Sequence, residues 1–128
     1  MKERAASFLK QAEASITASK HLLEQGDYPG FVVSRSYYSM FYCVTALMEE
    51  DGQRFSSHGQ ALGAFGRDYI RTQKLPARLH ASLLKAFHLR SVGDYDPSQP
   101  LSIEEARESI KDAEEFLAET QHYFSNLK

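Results

Sequence analysis

PGFVVSRSYYSMFYCVTALMEE, residues 29–50, decides the architecture. Tyr37, Tyr38, Met40, Phe41, Tyr42, Val44, Ala46, Leu47 and Met48 fall on nearly every face of a helix rather than along one stripe. A helix that is apolar all round sits at the centre of a bundle or packs against a second chain. Ser34, Arg35, Ser36 and Ser39 interrupt the run, which makes it too polar to cross a bilayer. Pro29 suits a first helical turn, where a missing N–H costs nothing, and Asp51-Gly52 breaks the chain after Glu50.

Upstream, Ala5, Leu9, Ala12, Ile16, Ser19 and Leu23 recur at alternating spacings of four and three, one stripe of a helix from about Lys2 to Gln25. Gly26-Asp27 ends it and Tyr28-Pro29-Gly30 makes the turn. Downstream, Ser56 or Ser57 caps a third helix reaching about Thr72. Its Gly59, Gly63 and Gly66 share a face, so another helix backbone is expected to approach there. A fourth helix runs from about Pro76 to Val92, with Leu79, Leu83, Ala86 and Phe87 facing inward and Gly93 as its stop. The loop Gly93 to Pro100 leads to Ser102 and Glu105, the spacing of a capping box. From there Ile103, Ala106, Ile110, Ala113, Leu117, Thr120, Phe124 and Leu127 keep the three-four alternation of a last helix. No period-two pattern appears. The expected fold is all-α, an up-and-down bundle of four to five helices, with residues 1–128 as a single domain.

Composition restricts the function classes. Hydrophobic residues at 42% and charged residues at 25% describe a globular chain and not a disordered one. The net charge of −2 gives no general reason to bind nucleic acid, so such binding needs a local patch. Cys43 is alone, which excludes an internal disulfide, and its apolar neighbours make it a buried hydrophobe rather than a nucleophile. Without an apolar leader or span, a cytoplasmic place and no membrane partner are expected.

Chemistry is sparse. His21, His58, His80, His88 and His122 include no pair at the spacing that sets two ligands on one helical face, so neither a metal nor another cofactor is expected. There is no G-x-S-x-G elbow. Glu104-Glu105 and Glu114-Glu115 read as a solvated helix face. What remains is His88-Leu89-Arg90-Ser91-Val92-Gly93-Asp94-Tyr95-Asp96, which gathers a permanent cation, an imidazole, carboxylates and a phenol at a helix end. Arginine's planar fork suits phosphate, although a cation in the last turn of a helix is also favoured by the dipole alone.

The run Ser34 to Tyr42, then Ser57-His58-Gly59, then Arg90 followed by Asp94-Tyr95, with Ala113 to Leu117 in the last helix, resembles the HEPN family in its small single-domain branch with an Arg-x-x-x-Asp-Tyr motif. The resemblance spans the chain. It implies a homodimer with its motifs in a cleft near the two-fold axis. Many members are metal-independent ribonucleases, often toxins; others bind RNA or nucleotide without cleaving it, frequently beside a minimal nucleotidyltransferase partner in toxin–antitoxin systems. By that likeness, Arg90, Tyr95 and Asp94 are the catalytic candidates, and Arg90, His58, Ser57 and His88 the nucleotide- or RNA-binding ones. Tyr95 is the nearest counterpart of a tyrosine that such partners modify.

One departure has chemical weight. The family's ribonucleases carry a histidine a few residues after the arginine, and here none lies between Val92 and Lys111. Metal-free RNA cleavage needs a base with a pKa near the working pH; histidine at about 6.5 qualifies, whereas tyrosine near 10 and aspartate near 4 do not. Three functions follow: a binding module, a ribonuclease toxin that recruits its base from elsewhere, or a non-catalytic scaffold whose polar loop only caps helices.

Overall fold

The computed structural model describes the chain apart from Asp27, Asp96, Pro97, Gln99 and Lys128, and gives the backbone alone for Asp94 and Tyr95. It is all-α: α1 (Glu3–Gln25), α2 (Pro29–Glu50), α3 (His58–Phe65), which continues as a π-helical turn (Gly66–Ile70), α4 (Ala77–Tyr95) and α5 (Ile103–Ser125). Among the described residues no helix is long and apolar enough to cross a membrane.

Four of the helices form an up-and-down bundle. The Arg4–Glu49 pair joins the start of α1 to the end of α2, and Lys20–Glu114 with Glu13–Gln121 runs α5 antiparallel to α1. Arg78 to Glu119 and Lys85 to Glu108 set α4 antiparallel to α5. The short α3 and its π turn bridge α2 to α4.

α2 is the centre. It packs against α1, α3, α4 and α5, and Val32, Val33, Tyr37, Met40, Val44 and Leu47 are all buried. Most of its apolar residues are thus consumed within the chain, with Phe31 left exposed. Of the serines that interrupt them, Ser36 and Ser39 are buried too. Ser39 donates to the Ala12 carbonyl at 2.8 Å and Ser19 to that of Val32 at 3.1 Å. Ser36 stands between Ser19 at 3.2 Å and Ser109 at 3.1 Å. Small side chains let three backbones approach, and each buried hydroxyl finds a partner as burial requires.

Local signals hold at most ends. Gly26, at φ +79°, closes α1 in the left-handed region. Ser57 accepts from the Gln60 N–H. Both bonds of the Ser102–Glu105 capping box are made.

Three expectations are corrected. Gly93 does not stop α4, which continues to Tyr95; a Cβ there would lie 2.9 Å from Leu101 Cδ1 and 3.7 Å from Gly30 Cα, so this glycine makes room for neighbours. The glycines of the third helix admit no helix backbone. Gly59 and Gly63 face open space, and Gly66 is met by the His80 ring at 3.0 Å. Leu127 lies past the end of α5 and is exposed.

Candidate functional site

Where α2, α4 and the start of α3 meet, aromatic and basic side chains replace aliphatic ones. Tyr37 and Tyr38 lie side by side on α2, their rings 5.3 Å apart and nearly perpendicular. Tyr37 points inward and is fully buried, while Tyr38 is half-buried. From α3, His58 stacks on Phe41 at 4.0 Å and 14° and meets the Tyr38 ring edge-on at 5.8 Å. From α4, Phe87 closes the far side of Tyr37 at 5.6 Å.

Arg90 comes from the last turns of α4. Its guanidinium carbon is 5.6 Å from the Tyr37 ring centre and 5.3 Å from that of Tyr38, and Nη2 donates to the Tyr38 hydroxyl at 3.1 Å. A cation over ring faces is held by their quadrupoles, which orients the planar fork. Arg35, one turn before Tyr38, lies 4.9 Å from the same ring.

Two protonation states follow from this packing. Burial, with a smaller push from Arg90, holds His58 below the usual imidazole pKa, so the ring is neutral at pH 7. Burial holds the Tyr37 phenol above its usual value, with Arg90 partly opposing. The Tyr37 oxygen and His58 Nδ1 are 2.7 Å apart, a hydrogen bond whose direction depends on the imidazole tautomer. If the phenol donates, the imidazole proton sits on Nε2, and His58 offers a ligand a donor. If Nδ1 carries the proton, Nε2 is a free base.

The structure therefore brings Arg90 and His58 together around Tyr37 and Tyr38. Ser57 and His88 are placed otherwise. Ser57 is exposed and occupied with capping α3. His88 is exposed and two residues from Arg90, a separation that sets side chains on different helix faces. The side chains of Asp94 and Tyr95 lie outside the described residues. Tyr37, Tyr38, Phe41 and Phe87 were legible only as core or interface aromatics. The hint available was the adjacency of Arg35 and two tyrosines on a face that also has to meet a helix bearing Arg90.

The comparisons agree with this architecture. The family model of the HEPN domain matches residues 5–123. The chain is 35% identical over 115 residues to "Putative toxin MJ0142" of Methanocaldococcus jannaschii, covering 90% of this chain and 78% of that protein. It is 34% identical to a UPF0332 protein of Thermotoga maritima, covering 75% and 73%, and 34% identical to one of Gloeobacter violaceus, covering 68% of each. Matched by that family model along nearly all of its length, the chain belongs to the HEPN-domain family.

Proposed function

We propose that residues 1–128 act as one HEPN module that binds RNA or a nucleotide, with Arg90 holding a phosphate and His58 donating to the same ligand. The observation that carries this reading is the Arg90 guanidinium fixed against Tyr37 and Tyr38 beside a neutral imidazole. A fork that is already oriented loses little freedom on meeting phosphate oxygens. In the tautomer where the Tyr37 phenol donates to Nδ1, one of the two that the 2.7 Å hydrogen bond allows, His58 is a donor, which suits binding rather than proton abstraction.

A ribonuclease is the second reading, and it corresponds to the opposite tautomer. His58 then takes the place of the absent histidine after Arg90, reaching the site from α3 instead of α4. The toxin name borne by the Methanocaldococcus relative is compatible with either reading in a toxin–antitoxin setting. A homodimer and a minimal nucleotidyltransferase partner belong to the same proposal through the family, and Tyr95 would be the modified residue.

One preparation tests both. Labelled single-stranded RNA is titrated into the protein in EDTA, followed by anisotropy and then by gel. Binding that Arg90→Ala weakens by about tenfold or more, the scale of one lost charged hydrogen-bonding group, with intact RNA on the gel, is the expected result. Cleavage that both Arg90→Ala and His58→Ala abolish would move the assignment to a nuclease. Equal binding by wild type and Arg90→Ala would remove Arg90 from the site.

A further inference from the structure

His58 reaches the site on the shortest α-helix of the bundle. α3 has eight residues, too few for a helix that stands alone in water. Two of them, Gly59 and Gly63, face open space, and glycine inside a helix lowers its stability. Ser57 caps its start. Where α3 sits therefore depends on the packing of its inner face and on what is tied to its two ends.

Beyond α3 the chain returns to the point it left. Tyr69, buried in the π turn, donates its hydroxyl to the Asp51 carboxylate and lies 3.2 Å from the Leu47 carbonyl oxygen, both at the end of α2. One residue earlier, the Asp68 carboxylate takes a hydrogen bond from the Gln53 side chain. Residues 51 and 53 open the loop that leads to His58, and residues 68 and 69 follow α3. The two ties thus close the chain on itself, and a closed segment has fewer arrangements than an open one. The Tyr69 ring is fixed in turn. Phe65 stacks on it at 6.0 Å and 21°, Tyr123 of α5 meets it edge-on at 5.8 Å, and the Lys74 ammonium lies 5.6 Å from its centre. Burial, with Asp51 adding to it, holds the phenol well above its usual pKa, so it stays a donor. The ring would pack as well without a hydroxyl; what the hydroxyl adds is the tie to α2.

We infer that Tyr69 is the positioning residue of His58: by holding Asp51 it closes residues 51–69 into a ring that sets the start of α3 against α2. His58, inside that ring, stacks on Phe41 and hydrogen-bonds Tyr37, both on α2, so a small swing of α3 opens both contacts. The inference rests on the site proposed above for what His58 does there, and on the geometry alone for what holds it.

The test follows the His58 imidazole by NMR titration of the protein alone, and the amides of α3 by hydrogen exchange. Tyr69→Phe keeps the ring and loses the tie. Asp51 is exposed, so Asp51→Ala breaks the same tie from the surface, while Asp51→Asn keeps an acceptor for the phenol. Ile16→Val, on α1, which packs against α2 and α5, is the control for general loosening. In Tyr69→Phe and Asp51→Ala the His58 pKa should rise toward about 6.5, the value of a solvated imidazole. Their α3 amides should exchange about tenfold faster, the scale of one hydrogen bond to a charged group. Asp51→Asn and Ile16→Val should match wild type at His58. A wild-type titration of His58 in either Tyr69→Phe or Asp51→Ala overturns the assignment, and so does an equal shift in Ile16→Val. RNA affinity of the same variants bears on the function separately. A shifted His58 with unchanged affinity would remove His58 from the binding site and leave Tyr69 as its positioning residue.

Discussion

His58 is a histidine whose behaviour is set by what surrounds it. Burial is the larger cause of its lowered pKa and Arg90 the smaller. An NMR titration should therefore place it below about 6.5, the usual value, and Arg90→Gln should raise it only part of the way back. The sign for stability follows. Below about pH 6.5 the unfolded chain takes up a proton that the folded ring resists, so the unfolded state binds more protons and stability falls as the pH is lowered. The contribution of the neutral ring is fully present above that value and is lost as pH drops through the lower folded pKa. Melting temperatures at pH 7 and pH 5 should differ less in His58→Gln than in wild type; an equal difference would count against this account. At this scale the sequence was only half legible. Arg90 stood out because a cation, carboxylates and a phenol sit within a few residues of one another. The pairing of Tyr37 with His58 did not, because nothing local says that residues twenty-one positions apart will share a hydrogen bond.

Among the elements, α2 owes its position to small side chains as much as to large ones. Ser36 is fully buried between Ser19 and Ser109, where α1, α2 and α5 approach one another. Ser36→Ala should cost about 1 kcal/mol for its lost hydrogen bonds. Ser36→Val adds bulk at a place with no room and should cost about 1–3 kcal/mol. Urea midpoints measure both, and a valine variant as stable as the alanine one would show that the helices are not in close contact there. Helix periods, turns and caps were readable because they depend on neighbours in the chain, as at Gly26 and at Ser102 with Glu105. Gly93 was misread for the complementary reason. Its lack of a side chain serves Leu101 and Gly30, which arrive from elsewhere, and α4 passes straight through it.

For the whole molecule, Cys43 reports on opening. It lies on α2 with no exposed surface, and burial pushes its thiol up to about 12. A thiol reagent needs the thiolate, so the native protein should react far more slowly than a free cysteine. The rate should rise in step with global unfolding in denaturant. Fast labelling under native conditions would mean that the bundle opens locally at α2.

The packing of α5 also bears on how the chain acquires its structure as it is made. The α1–α2 hairpin is built from neighbouring segments, and its contacts can form as soon as residue 50 is free of the ribosome. Phe116, Leu117, Ala113 and the Ser109 hydroxyl, which complete the core around that hairpin, are all on α5, made after the other four helices. Until α5 docks, the nascent hairpin shows water an apolar face interrupted by serines, a face that solvent tolerates better than an unbroken one. The serines that hold three helices together in the folded bundle thus also make the face shown before docking less apolar.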